Sequence, residues 1–189
     1  TILDSDEFHS LDGASCDKLL GLFASDALPY RIDVQNQEHK IPTLREMTEK
    51  ALSVLSRREK GFFLMVEGAK IDWACHANDA ASLLGELYDF DDAIAAGLDF
   101  CRQRDDTLMV LIADHETGGF SFAYKKLHHE AVEYDIANNE KWKPHLDYIS
   151  SNTVKRLERQ NASFAQIMYE AGKNKNKLMD LVKKHTGYQ

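Results

Sequence analysis

Phe62-Phe63-Leu64-Met65-Val66-Glu67, with Asp72 and His76 close behind, and Thr107-Leu108-Met109-Val110-Leu111-Ile112-Ala113-Asp114-His115 are two apolar runs that each finish in groups able to hold a metal ion. Each run has the length and composition of a buried strand. Carboxylates and imidazoles suit zinc and magnesium, and ligands delivered by the ends of neighbouring strands can share one small site. The pattern therefore points to a metal-assisted hydrolase.

Spacing says how the ligands would converge. Glu67 falls at the carboxyl end of its strand, the edge where ligands bind in open α/β sheets, and Gly68 permits a sharp turn there. Asp72 and His76 are four apart, so a helix across this stretch sets both on one face, able to chelate one ion. Asp114 and His115 are adjacent and would point to opposite sides of a regular strand, so the chain must turn for both to face metals. The pair Gly118-Gly119 supplies the means for that turn. Carboxylates gathered in one cleft repel one another, and bound cations remove that cost. Taken singly, each of these residues reads as ordinary surface polarity. It is their placement along one predicted edge that carries the metal reading.

Composition limits the alternatives. A chain of 189 residues, 43% hydrophobic and 29% charged, is long enough for one packed domain or a large piece of a bigger one. The net charge of -8 argues against a general nucleic-acid binder, because its Lys and Arg are scattered among acids. No apolar run approaches the roughly 20 residues of a membrane-spanning helix. The N-terminal Thr1-Ile2-Leu3-Asp4-Ser5-Asp6-Glu7 lacks the basic start and apolar core of a signal peptide. Cys16, Cys75 and Cys101 have no CxxC spacing and read as buried free thiols.

Outward from the two runs, strands alternate with helices, which predicts an α/β fold with a largely parallel sheet. Residues 18–23 read as a short buried strand, and a polar loop follows through Asp33 to His39. A helix is expected from Pro42-Thr43-Leu44-Arg45-Glu46, with Thr43 and Glu46 as a capping box and Leu44, Met47, Ala51, Leu52 and Leu55 as its apolar stripe. Two helices are expected at about 78–86 and 91–104, the second capped by Asp89. Phe120 to Tyr124 alternates like a strand with one wet face. From residue 125 the composition turns polar, strands are expected to stop, and helical patches fall near 150–160, 163–171 and 175–185. The chain thus divides into 1–124 and a helical insertion or subdomain, 125–189.

The run Gly61 to Asp79, with Glu67, Asp72 and His76 in order, followed by Ala113-Asp114-His115-Glu116-Thr117-Gly118-Gly119, resembles the metal-binding middle of bacterial alkaline phosphatases. The resemblance spans most of residues 18 to 124. It implies a three-layer α/β/α sandwich, of which this chain would hold a part, two zinc ions and one magnesium ion. It also implies hydrolysis of phosphate monoesters through a phosphoserine. Carried across, Asp72 and His76 would hold the first zinc, Asp114 and His115 the second, and Glu67 the magnesium. Trp73 stands where some members place a residue near the phosphate, and packing explains it equally well. Two ions roughly 4 Å apart would polarise the phosphoryl oxygens and neutralise the leaving alkoxide.

The family also needs an Asp-Ser-Ala nucleophile, a bridging aspartate and a phosphate-binding arginine, and no Asp-Ser-Ala occurs here. These 189 residues are therefore expected to be a central portion of the enzyme, inactive alone. His185-Thr186-Gly187 matches the tripeptide in which the family places a third ligand to the first zinc. Helical spacing from Lys177 to Lys184 instead makes Gly187 the stop past a helix end, and that reading is preferred. His128, His129 and His145 read as solvated. The same D-x-x-x-H and D-H patterns recur in phosphodiesterases and cofactor-independent phosphoglycerate mutases, and a non-catalytic binding or assembly module is a further alternative. Glu67 ahead of Asp72 favours the phosphatase. By resemblance the whole protein would be a periplasmic or secreted homodimer.

Overall fold

The computed structural model describes residues 1–34, 41–121, 124–126, 133–135, 141–143, 146–148 and 155–187. Among these, helices dominate. Helix α1 (Ser5–Ser10) and a 3-10 turn (Gly13–Ser15) lead to α2 (Arg31–Val34), α3 (Leu44–Leu55), α4 (Ala69–His76) and the long α5 (Ala80–Arg102). Four short strands follow, β1 (Tyr124–Lys126), β2 (Tyr134–Asp135), β3 (Lys141–Trp142) and β4 (Leu146–Tyr148). A 3-10 turn (Leu157–Arg159), α6 (Phe164–Ala171) and α7 (Lys175–Thr186) complete the order.

Helix α3 forms where its signals predict. Thr43 Oγ1 accepts from Glu46 N at 3.1 Å and Glu46 Oε2 accepts from Thr43 N at 2.7 Å, a reciprocal cap that satisfies two orphan donors. Such a cap contributes about 1 kcal/mol. Leu52 of the expected stripe is buried, while Leu44, Met47, Ala51 and Leu55 are half-buried.

The two helices expected between 78 and 104 are one. Nothing between Glu86 and Asp91 breaks a helix, and Asp79 rather than Asp89 is the cap, accepting from Ser82 N. Asp89 lies within α5 and its carboxylate accepts from Leu44 N at 3.3 and 3.4 Å, closing the start of α3 from outside. Helices α2, α3 and α4 all pack along α5. Tyr30, Ala74 and Leu83 form the core between them, with Ile32, Ile71, Cys75 and Phe120 against it.

The parallel sheet is the main correction. Segments 62–66 and 107–113 have no ladder partner among the described residues, so the three-layer sandwich is not formed there. Along 62–67 exposure alternates with a period of two, as in an extended chain. The inward side rests on α5: Phe62 meets Phe100 edge to face at 6.1 Å, and a Cβ on Gly97 would touch Met109 at 3.2 Å. The outward side is bare, with Phe63 88%, Met65 72%, Leu108 86%, Val110 69% and Ile112 77% exposed. One helix layer covers only one face of such a ribbon.

Other expectations change for similar reasons. Residues 18–23 make one parallel bridge, Ile2 with Gly21, and Leu20 and Leu22 are exposed rather than buried. The polar loop expected after residues 18–23 contains the turn of α2. Strands do not stop at 125: β1 pairs antiparallel with β4 and β2 with β3. Of the expected 120–124 strand, Phe120 and Ser121 are not in a strand, residues 122–123 lie outside the described residues and Tyr124 opens β1; the 150–160 patch is a 3-10 turn where it is described. The thiols of Cys16, Cys75 and Cys101 are free but only partly buried.

Helices α6 and α7 pair around Ala162, Ile167, Ala171 and Leu181, with Phe164, Leu178 and Val182 alongside. Gly187 follows α7 in the left-handed region at φ 67°, the helix stop its position predicts. His128, His129 and His145 lie outside the described residues.

Candidate metal centre

Helix α4 delivers the first pair. Its eight residues place Asp72 and His76 one turn apart, and Asp72 Oδ2 faces His76 Nε2 at 3.7 Å. The second pair follows the 107–113 segment, where Asp114 Oδ2 stands 3.3 Å from His115 Nε2. A turn lies just beyond this pair rather than at it: Gly118 and Gly119 both take left-handed backbone, at φ 63° and 65°, while residues 114 and 115 are not in a turn. Glu116 secures it by accepting from Gly119 N at 2.8 Å.

A contact that sequence reasoning passed over joins the two pairs. Thr117 Oγ1 donates to Asp72 Oδ1 at 2.7 Å, which leaves Oδ2 as the oxygen turned toward His76. A Cβ on Gly118 would lie 3.9 Å from His76 Nδ1 and from the Cys75 carbonyl, so the turn sits directly on the end of α4. The available signal was a hydroxyl just ahead of two glycines in the Asp114–Gly119 motif.

Charge in the two pairs is ordered. The His115 N–H holds the Asp114 carboxyl below the usual carboxylate range. The His115 imidazole is pushed above its ordinary value by its hydrogen bond to the Glu116 carbonyl and then by Asp114, with Asp72 adding to the effect. Metal binding requires neutral imidazole, so an ion at this pair competes with a proton.

Glu67 is exposed at the end of its segment. It lines a cleft of about 230 Å³ with Arg31, Lys70, Trp73, Glu86 and Asp89. Lys70 Nζ lies 3.6 Å from the Trp73 ring centroid and 4.8 Å from that of Tyr30, and burial lowers its pKa. Trp73 therefore supports a lysine at the cleft mouth. Burial raises the carboxyls of Glu86 and Asp89, which Arg31 partly offsets.

His185 falls in the last turn of α7, and its Nδ1 bonds Asn161 Oδ1 at 2.6 Å. No three His, Cys, Asp or Glu side chains converge on a common point among the described residues. The donors nevertheless suit zinc, as two pairs that each offer one carboxylate oxygen and one imidazole nitrogen on facing atoms.

The sequence profile of the family described as alkaline phosphatase matches residues 2–187. The chain belongs to the alkaline phosphatase family. Alkaline phosphatase 3 of Bacillus subtilis is 46% identical over 104 residues, covering 55% of this chain and 22% of that protein. The alkaline phosphatase of Escherichia coli is 37% identical over 134 residues, 60% of this chain and 28% of its own. The chain thus matches about a quarter of the length of these relatives. Among solved structures, the cold-active alkaline phosphatase of a psychrophilic Shewanella superposes with a TM-score of 0.69 at 31% identity, over 100% of this chain and 40% of that one. The Thermus thermophilus alkaline phosphatase gives 0.75 at 27% identity, over 98% and 35%. A TAB5 alkaline phosphatase mutant with magnesium bound gives 0.52 at 31%, over 79% and 40%. Alkaline phosphatases are generally metal-dependent hydrolases, and no described helix here is long and apolar enough to cross a membrane.

Proposed function

We propose that these residues form the central part of a phosphomonoesterase whose centre takes two zinc ions and one magnesium ion. The observation that carries the proposal is the facing of Asp72 with His76 and of Asp114 with His115, coupled through Thr117. Asp72 and His76 would hold the first zinc, Asp114 and His115 the second, and Glu67 the magnesium. Bound there, the metals supply electrostatic stabilisation of the phosphoryl oxygens and of the leaving alkoxide.

The chain's own residues orient and charge the centre. Thr117 fixes which oxygen Asp72 presents, and the left-handed Gly118-Gly119 turn lies against the end of α4 that carries His76. The Asp114 carboxyl, held ionised by the His115 N–H, keeps a negative ligand in place.

The serine nucleophile is assigned to sequence beyond these residues, and the isolated 189-residue chain is inactive in this reading. The sandwich is completed on the bare face of Phe63, Met65, Leu108, Val110 and Ile112, and residues 125–189 form an insertion on it. The whole protein acts as a homodimer in the periplasm or outside the cell. In the full-length protein, Asp114→Ala and His115→Ala should each lower turnover of a chromogenic phosphate monoester by at least 100-fold, the scale of losing an electrostatic stabiliser. Wild-type turnover in both variants, or hydrolysis of diesters alone, would contradict the proposal.

A further inference from the structure

Asp79 is 1% exposed, and its carboxylate is satisfied by neutral donors. Ser82 N and Ser82 Oγ donate from the first turn of α5 at 3.2 and 2.8 Å; Gln160 Nε2 and Phe164 N donate from the C-terminal unit, both at 2.7 Å. One buried carboxylate thus stands at the positive ends of two helices, α5 and α6, and takes up amides that neither helix can satisfy internally. Asp33, also buried, accepts from Ser163 N at 2.8 Å and fixes the same end of α6 from a second side.

The main chain of Asp79 does something else. Its N–H donates to the Ala74 carbonyl at 3.0 Å, Asn78 N donates to Cys75 O at 3.0 Å, and Ala77 N to Trp73 O at 3.1 Å. Asn78 closes this turn at φ 50°, in the left-handed region that asparagine enters more readily than other non-glycine residues. The turn carries His76. Asp79 therefore ties the last turn of α4 by its backbone and the α6–α7 pair by its side chain.

We propose that Asp79 is a positioning residue for His76, through which the α6–α7 pair braces the end of the ligand helix and holds His76 opposite Asp72. The proposal rests on the metal-centre reading above. A plain helix cap would stabilise α5 and leave His76 indifferent to α6.

The test uses the full-length protein with Asp79→Asn, which turns one acceptor oxygen into a donor facing donors, and Gln160→Met, which removes the Gln160 bonds to Asp79 and to the Ala162 carbonyl and leaves the α5 cap intact. Amide exchange is followed in the zinc-free protein, and zinc affinity is measured separately by competition with a chromophoric chelator. Both variants should speed exchange in α6 and at residues 74–79, and should weaken zinc binding roughly 10-fold, the usual cost of disturbing a ligand's support. Faster exchange in α6 with no change at 74–79 and unaltered zinc affinity would overturn the proposal, as would unchanged exchange in α6. If Asp79→Asn does not fold, Gln160→Met decides. Failure of the metal reading would show separately, as zinc binding unaffected by His76→Ala, and exchange at 74–79 would then decide the brace by itself.

Discussion

Thr117 Oγ1 reaches Asp72 Oδ1 at 2.7 Å across 45 positions of sequence, and with that bond the loop carrying one ligand pair sets the orientation of the other. A carboxylate with one oxygen already engaged presents the second in a fixed direction. Thr117→Val keeps the shape and removes the donor, so zinc affinity at the Asp72–His76 pair should fall roughly 10-fold. Thr117→Ser should restore it. Chelator competition measures both, and a Thr117→Val variant with wild-type affinity would show that Asp72 needs no such support.

The bare apolar ribbon makes a prediction about the chain in isolation. Phe63, Met65, Leu108, Val110 and Ile112 are all exposed to solvent, apolar side chains that a monomer ordinarily covers when they gather in one patch. The isolated 189-residue chain should bind a hydrophobic dye strongly and self-associate. Leu108→Ser with Ile112→Ser should reduce dye binding severalfold without loss of helical circular dichroism. Weak dye binding by the parent chain would mean that this face is covered by the chain itself.

A third prediction concerns pH. His9 Nε2 bonds Glu46 Oε1 at 2.9 Å and His9 Nδ1 bonds the Ser5 carbonyl at 2.6 Å, which together raise the imidazole above its ordinary 6.5. Burial alone would raise the Glu46 carboxyl, yet bonds from His9 and Thr43 outweigh it and bring it below its ordinary 4.5. The imidazole's contribution is complete below 6.5 and is lost as pH rises through its raised folded value; the carboxylate's is complete above 4.5 and is lost as pH falls through its lowered folded value. The link between α1 and α3 is therefore strongest between about 4.5 and 6.5. His9→Gln should lower the melting temperature in that window and converge on wild type at alkaline pH. Equal melting temperatures across the range would contradict the linkage. Both side chains are partly exposed, so the effect is small.

Local chemistry was legible in the sequence where it is self-contained. The Thr43–Glu46 cap, the helical Asp72–His76 spacing, the Gly118-Gly119 turn and the Gly187 stop depend on residues within a few positions of one another, and all appear. What depends on distant partners was not legible. The runs 62–66 and 107–113 carry strand composition, but a ladder needs a neighbouring strand, and none faces them among the described residues. Asp89 has the look of a cap, yet its partner is Leu44 in another helix. Asp79 falls inside the helix expected at 78–86 and carries no mark of its partners there; only the fold brings Gln160 and Phe164 to it. Thr117 was hidden likewise, because a hydroxyl shows no partner until α4 and the Gly118-Gly119 turn meet.

Metal content reads the ligand assignment without passing through turnover. Full-length protein, its Asp72→Ala/His76→Ala and Asp114→Ala/His115→Ala variants, and Glu67→Ala should be dialysed against trace metal and analysed by elemental mass spectrometry. Each paired variant should lose one zinc ion per chain, while Glu67→Ala should keep both and lose magnesium. Unchanged zinc content in the two paired variants would contradict the assignment.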